Sequence, residues 1–404
     1  MALLLAKGEE FASWRGVEEF AVAYRDAAVR LAAQRHPGGI AQLLELLEGL
    51  LEGVAQENSL AAGAVQQLIV ELQHATEQTQ LRVLHSSFYD IAYQHFDRFG
   101  SPSAFFTFVT SFLHAFALRC LQLAEQQFEV ALPPLALVVM GPAGRHEASR
   151  FARLQLGLVW DDSVGADDVP RQLAGELVAW FRVCGLALEE HVSPLREEWQ
   201  GSLAQWELRF DEAMRQEERE ALVELLRLAD RTVLVSQGDI GQRFDQLCGQ
   251  YLGKRPFVGN LVERCTSLSN GIGLMGHLKL EKSGPHRGAF ALLDHALLPL
   301  AATVSAICLM RGVTAVGTPE RLRELVRSGK LDVDLAERGL QAWHCFNEHR
   351  LALERPAAAG QDCRDILHLV PSELSPEELE RIRDGLETVS DLQRFMQVCF
   401  GAYA

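Results

Sequence analysis

The stretch "LALVVMGPAGRHEASRFARLQLGLVWDD", residues 135–162, decides the fold of the middle of the chain. It reads as a short apolar run, a glycine turn, a polar link and a second apolar run. Short apolar runs bounded by proline and glycine are typical of buried β-strands. Glycines placed directly after a strand let backbone amides approach phosphate oxygens, and Arg145 can neutralise their charge. The stretch predicts a phosphate-holding scaffold, although the same letters also fit a tight turn with a surface arginine.

The segments on both sides of this stretch show helical spacing of apolar residues. Before it, helices are predicted over residues 17–31, over 40–54, from about Ala64 to Gly100, and from Phe105 to about Phe128. After it, the chain returns to helical patterns beyond Gly241. There Ser375-Pro376-Glu377-Glu378 spells a capping box at the start of a last helix.

We therefore expect a predominantly helical α+β protein with a small mixed sheet in its middle. The predicted parts are an N-terminal helical region at 1–130, a small mixed-sheet domain at 131–245 and a C-terminal helical bundle at 250–404. The chain of 404 residues is long enough for two or three such domains.

Charge and cysteine usage narrow the class of protein. The formal net charge is −16, and such a field repels nucleic acid and anionic lipid, so neither is expected as a partner. The 8 cysteines include no Cys-x-x-Cys pair, which favours reduced core thiols in a cytoplasmic protein. The opening "MALLLAKGEE" is too short in apolar residues for the core of a signal peptide, and we expect no membrane span.

The quoted stretch resembles the nucleotidyltransferase-like domain of a bacterial signalling family, relatives of the uridylyltransferase that modifies the PII protein. In that family a strand ends in Gly-Ser-x-Gly-Arg-x-Glu. Here Gly141, Gly144, Arg145 and Glu147 match this motif, and Pro142 stands in place of the serine. The resemblance continues to the C-terminus, where a long match looks like the family's helical substrate-binding domain. It implies that Gly141, Gly144, Arg145 and Glu147 belong to a nucleotide site.

The same resemblance exposes a departure at the metal site. The family's next strand carries Asp-x-Asp, whose carboxylates share one face and hold Mg²⁺. The matching positions here are Arg153 and Gln155. A guanidinium fixed ~4 Å from a divalent cation would cost about 8 kcal/mol at an effective dielectric constant of 20. We therefore expect no metal site, and no catalytic residues are assigned.

Other acidic residues do not restore the pair. Asp161 and Asp162 lie about 20 Å along the strand from Gln155, and we interpret them as part of a solvated loop. A further family carboxylate falls at either Thr232 or Asp230, and the spacing leaves that choice open.

The C-terminal segment departs from the family pattern as well. The family's Asp-Leu-Lys stretch is Ala291-Leu292-Leu293 here, and a family arginine on the next helix corresponds to Ser305. Several polar positions have been replaced together, which no error at a single aligned position explains.

Three further motifs carry weaker signals. "HLKLEKSGPHRG" concentrates Lys279, Lys282, His286 and Arg287, which either bind an anion or form a solvated loop. "GIGLMG" at 271–276 lacks the strand and helix of a dinucleotide fingerprint, so its glycines predict a turn or close helix contact. "WHCFNEHR" at 343–350 lacks enough ligands for a metal, and we interpret it as a mixed surface face.

We therefore expect a catalytically inactive, nucleotidyltransferase-like regulatory or scaffold protein of bacterial signalling. Its expected partners are a nucleotide, a partner protein or a second copy of itself, and no cofactor is expected. The alternative is an active nucleotidyltransferase that uses Mg²⁺ and a nucleoside triphosphate, and transfers a nucleoside monophosphate to a protein or a small molecule.

Overall fold

The computed structural model describes Arg25 and residues 40–129, 132–162, 168–216, 219–269, 271–273, 276–356 and 363–403. The helix predicted over residues 17–31 lies outside these ranges, apart from Arg25. The helices are α1 Ile40–His74, α2 Gln78–Phe99, α3 Pro102–Glu125, α4 Gly141–Gly144, α5 Asp168–Val183, α6 Leu203–Gln216, α7 Arg219–Leu225, α8 Ile240–Leu252, α9 Arg255–Ser267, α10 Leu298–Arg311, α11 Thr318–Arg327, α12 Val333–Glu354, α13 Cys363–Ile366 and α14 Pro376–Gly401. The strands are β1 Leu135–Met140, β2 Gln155–Trp160, β3 Gln200–Ser202, β4 Arg231–Ser236, β5 Phe290–Ala291 and β6 His368–Leu369. The protein is predominantly helical with a small mixed sheet, so the predicted fold class is confirmed.

The main sheet has four strands in the order β3-β2-β1-β4. Strand β1 pairs antiparallel with both β2 and β4, whereas β2 and β3 are parallel. The register places Met140, the last residue of β1, opposite Gln155 at the start of β2 and opposite Arg231 at the start of β4. One end of the sheet therefore gathers the glycine turn and the beginnings of both neighbouring strands.

All six residues of β1 are buried, as a strand covered on both faces requires. Helix α8 packs against β1, β2 and β4, and its Phe244 stacks edge-on against Trp206 of α6. Both aromatic side chains are fully buried. The indole nitrogen of Trp206 donates to the carbonyl oxygen of Leu158 in β2. This core fixes the strands that carry the turn.

The most extensive helix contact in the described C-terminal region joins α12 to α14. Gly385 makes this close approach possible, because a Cβ there would lie 2.8 Å from the ring of Phe346. Helix α14 begins with the predicted capping box, in which Ser375 and Glu378 each accept from the other's backbone amide. A two-stranded antiparallel sheet of β5 and β6 accompanies these helices.

The described residues divide into two compact units. The helical unit takes the described parts of Met1–Leu60, His95–Phe105 and Leu261–Ala404. The sheet unit takes Ala61–Gln94 and the described parts of Phe106–Asn260. The predicted domain boundaries at 130, 131, 245 and 250 stay predictions.

Two details of the helix predictions are wrong. Helix α1 runs without a break over Ile40–His74, and α2 begins only at Gln78, whereas a new helix was expected at Ala64. The actual break at 75–77 contains neither glycine nor proline. It is stabilised by Gln80, whose side-chain oxygen accepts from the amides of Thr76 and Glu77.

Two described helical segments, Pro102–Glu125 and Leu293–Arg311, are long and apolar enough to cross a membrane by length and composition alone. Of their most apolar windows, 61% and 56% respectively are buried inside the protein. Core helices that are mostly buried pass the same test of length and composition.

Candidate functional site

The glycine turn leaves β1 through two left-handed residues. Gly141 has φ +64°, and His146 has φ +62° although it carries a side chain. Residues with a side chain rarely adopt this conformation, and it costs about 1 kcal/mol or more. The short helix α4 begins at Gly141 and ends two residues before His146, so the chain turns twice within six residues. The sequence analysis assigned His146 no role. Its position between Arg145 and Glu147 in the matched motif was the one signal that pointed to the turn.

Arg145 lies at the centre of a buried ion-pair network. Its Nε donates to Oε2 of Glu147 at 3.0 Å, and its Nη1 donates to Oδ2 of Asp230 at 2.7 Å. The side chains of Arg145 and Glu147 are 11% and 7% exposed. Burial disfavours the charge of Arg145, but the two carboxylates outweigh burial and raise the pKa of the guanidinium. Arg145 therefore holds the turn to the segment before β4 from inside the protein.

Gly144 and Thr232 complete this attachment. A Cβ at Gly144 would lie 1.9 Å from the backbone oxygen of Asp230, so only glycine allows the two backbones to approach this closely. The hydroxyl of Thr232 donates to the carbonyl oxygen of Gly144 at 2.7 Å, and its oxygen lies 3.3 Å from Nε2 of His146. Asp230 and Thr232 thus both contact the turn, one through an ion pair and the other through a hydroxyl.

The positions that match the family's Asp-x-Asp carry no carboxylate. Gln155 starts β2, and a Cβ on Gly141 would lie 3.1 Å from its amide nitrogen, so this side chain covers the turn glycine. Arg153 is exposed and lies two residues before Gln155, on the same side by strand alternation. The carboxylates of the turn and of the segment before β4, Glu147 and Asp230, are bonded to Arg145.

This donor set does not fit Mg²⁺, which requires oxygen ligands with negative charge to spare. Among the residues that the structure describes, no group of three or more His, Cys, Asp or Glu side chains is arranged to hold a metal ion.

Asp161 and Asp162 lie beyond the opposite end of β2 from Gln155, so they do not reach the turn. Asp161 forms an ion pair with Arg243 at 2.8 Å, and Asp162 accepts from the backbone amide of Ala204 at the start of α6. Both carboxylates therefore have structural partners rather than a place at the turn.

The departures in the C-terminal region are filled by the protein's own side chains. Ala291 and Leu292 are buried around β5. Arg321 of α11 donates to the hydroxyl of Ser305 at 2.6 Å and to the carbonyl oxygen of Ala315. Arg321 is itself buried, so a guanidinium from another helix lies beside Ser305.

The basic cluster lies on the loop that leads into β5, and its members have different partners. Lys279 donates to the hydroxyl of Ser269 at 3.2 Å. The ring of His286 stacks on that of His368 of β6, with centroids 3.8 Å apart. Lys282 and Arg287 are exposed. Anion binding by these four residues stays a prediction.

The interpretation of "WHCFNEHR" as a surface face is wrong. His344, Cys345 and His349 are 5%, 2% and 8% exposed. Burial lowers the pKa of His344 to about 4 and raises the pKa of the Cys345 thiol to about 12. The stretch lies where α12 meets α14, and His344 and Cys345 contribute to the wall of a cavity there. The polar residues of this stretch suggested exposure, whereas burial extends almost around α12 and includes Asn347 and Arg350.

Comparison with known proteins agrees with these observations. No curated protein is similar enough to the chain to count as a match. A family model described as "Putative nucleotidyltransferase DUF294" matches residues 86–220. A second, described as "Putative nucleotidyltransferase substrate binding domain", matches residues 255–400. Together the two matches cover more than half of the chain, which therefore belongs to the nucleotidyltransferase-like family that they describe.

Proposed function

We propose that this chain is a regulatory or scaffold protein that has kept the nucleotidyltransferase fold and lost metal-dependent transfer. One observation carries the proposal. The two positions that match the family's metal-binding aspartates hold Arg153 and Gln155, and the carboxylates of Glu147 and Asp230 at the turn are bonded to Arg145. A transferase that cannot hold Mg²⁺ has nothing to position and neutralise a triphosphate.

The electrostatics of the turn favour this function over transfer. Arg145 directs its guanidinium to Glu147 and Asp230, so its charge is already matched inside the protein. The side chain of Gln155 lies over Gly141, where backbone amides would otherwise meet a phosphate. A nucleotide would bind the turn weakly and without metal. The more favoured partner is another protein, in the cytoplasm of a bacterium.

The alternative function is an active nucleotidyltransferase with unusual metal ligands. The family membership of the chain favours it, because a family model described as a nucleotidyltransferase matches residues 86–220. It would require Glu147 or Asp230 to leave Arg145 when a metal binds. Breaking a buried ion pair costs about 3–5 kcal/mol, which the bound metal would have to return.

The first experiment is a thermal-shift series with ATP, UTP, CTP and GTP, each with and without Mg²⁺. Binding to the native state raises the midpoint of unfolding, so a metal-dependent site gives a larger shift with Mg²⁺ present. We expect shifts that are small and equal with and without Mg²⁺. A large shift that appears only with Mg²⁺ would favour the alternative.

A gain-of-function variant gives the matched control. The double substitution Arg153→Asp with Gln155→Asp restores two carboxylates on one face of the strand. We expect this variant to acquire a Mg²⁺-dependent shift that the natural protein lacks. Incubation with labelled nucleoside triphosphates and lysate completes the test, since label transferred by the natural protein would contradict the proposal.

A further inference from the structure

A cavity of about 650 Å³ lies in the helical unit between α12 and α14. Helix α12 lines it from Arg338 to Glu348, and α14 lines it from Arg381 to Thr388. Its volume is within the range of pockets that hold small molecules, roughly 300–1,000 Å³. The cavity lies away from the glycine turn in sequence and belongs to a single compact unit.

The charges around the cavity do not balance. Arg381 is bonded to Glu348 at 2.9 Å, and Arg338 is bonded to Asp391 at 2.7 Å. Asp391, which lies outside the cavity, is also bonded to Arg394. The charged side chains that line the cavity are two arginines and three carboxylates, so the lining has an excess of one negative charge. Among the three lining carboxylates, Glu348 is bonded to Arg381, whereas Asp384 and Glu387 form no ion pair and accept no side-chain hydrogen bond within the described residues. They are three residues apart on α14, so they lie on the same face of the helix.

The buried part of the wall adds no positive charge. Because burial lowers the pKa of His344 to about 4, this ring is neutral at pH 7. The Cys345 thiol, whose pKa burial raises to about 12, is also neutral. The thiol is 2% exposed and lines the cavity, and no hydrogen bond to it is formed in the described part of the chain. Ala342 and Gly385 supply an apolar surface beside it.

We propose that this cavity binds an organic cation, namely an ammonium or guanidinium group on a short alkyl chain, through Asp384 and Glu387. The two carboxylates accept charge-assisted hydrogen bonds from the cationic group, and the alkyl chain lies along Ala342, Gly385 and Cys345. Such a group occurs in a small-molecule amine and in the arginine or lysine side chain of a protein. The site does not depend on the proposed function, because it involves no residue of the sheet unit.

The test measures binding of agmatine to the full chain by calorimetry and thermal shift, with sodium chloride added to equal ionic strength. The test variant is Asp384→Asn with Glu387→Gln, and the matched control is Glu380→Gln, an exposed residue of α14 outside the cavity. We expect agmatine to bind the natural protein and the control equally. Loss of two charged acceptors should weaken its affinity in the test variant by about tenfold or more. All these positions are exposed, so the variants should fold.

Two outcomes would overturn the site. One is that no agmatine binding is detected up to about 10 mM. Specific sites usually have dissociation constants below this concentration. The other is equal affinity in the natural protein and the test variant.

A blocked peptide, acetyl-Gly-Arg-Gly-amide, distinguishes the sources of the cation. Tighter binding of the peptide than of agmatine identifies a protein side chain, and the reverse order identifies a small molecule.

Discussion

The glycine turn of the sheet unit and the cavity of the helical unit treat their charges in opposite ways. At the turn, one buried arginine is bonded to two carboxylates. At the cavity, two arginines and three carboxylates line the wall, and two of these carboxylates, Asp384 and Glu387, form no ion pair within the described residues. The turn carries the family's glycine motif, and its buried charges are paired within the protein. The cavity lies within residues 255–400, which match the substrate-binding family model, and its lining has one excess negative charge.

The largest expected effect tests whether the turn really depends on its internal network. Replacing Arg145 with alanine leaves the carboxylates of Glu147 and Asp230 in a largely buried position without their cation. We expect the free energy of unfolding to fall by about 3–5 kcal/mol, measured by urea denaturation. The matched control is Arg243→Ala, which removes a half-exposed pair with Asp161 and should cost about 1 kcal/mol or less. If both variants lose the same small amount, the turn is not held from inside.

The second effect tests the close approach of backbones at the same place. Gly144→Ala puts a methyl group 1.9 Å from the carbonyl oxygen of Asp230 and 2.8 Å from that of Val139. Because both neighbours are backbone atoms, the turn must move, and we expect a loss of about 3 kcal/mol in urea denaturation.

Gly175→Ala in α5 is the control for this substitution, since nothing lies within 4 Å of the added Cβ. Alanine is the better helix former, so this variant should gain about 0.5–1 kcal/mol. If Gly144→Ala leaves the free energy of unfolding unchanged, the turn and the segment before β4 can move apart without loss of stability.

The strands around the turn could be predicted because their signals are local. The two apolar runs of the stretch 135–162 form β1 and β2, as their composition and the glycine turn between them predict. The capping box of α14 is equally local, since Ser375 and Glu378 satisfy each other's backbone amides. Such signals survive in a single sequence because the contacting residues are neighbours in the chain.

What could not be predicted depends on contacts between distant residues. Strand β3 has the sequence Gln-Gly-Ser, which has no strand pattern of its own. It forms because its backbone pairs in parallel with the edge of β2. The partner of Arg145 at Asp230 lies 85 residues away, which left the choice between Asp230 and Thr232 open. The cavity was hidden for the same reason, because its two walls meet only when α12 and α14 pack together.

A third, smaller effect tests whether the cavity wall is neutral. The pKa of buried His344 is about 4, below its ordinary value of 6.5, so between these pH values the unfolded chain binds the proton more readily. The free energy of unfolding should therefore fall as the pH drops from 6.5 towards 4, by about 2 kcal/mol for this residue. His344→Gln should lose less stability than the natural protein between pH 7 and pH ~4.5.

The matched control for that measurement is exposed His191, substituted in the same way. His191→Gln should reproduce the pH dependence of the natural protein. Equal pH dependence in all three proteins would place a charged or hydrated histidine in the cavity wall, which would weaken the case for a cation there.

The smallest effect concerns the start of α14, the helix that supplies the two unpaired carboxylates. Ser375→Ala removes the side chain that accepts from the amide of Glu378, and caps of this type are worth about 1 kcal/mol. The backbone amide of Ser375 also holds the pKa of Glu378 below its usual range, so this contribution is present at neutral pH and lost as acid protonates Glu378.

Because the cavity begins six residues beyond the cap, at Arg381, Ser375→Ala should lower stability in urea and leave agmatine affinity unchanged. If Ser375→Ala lowers both stability and agmatine affinity, the first turns of α14 and the cavity form one cooperative element. The site would then depend on the order of the whole helix rather than on Asp384 and Glu387 alone.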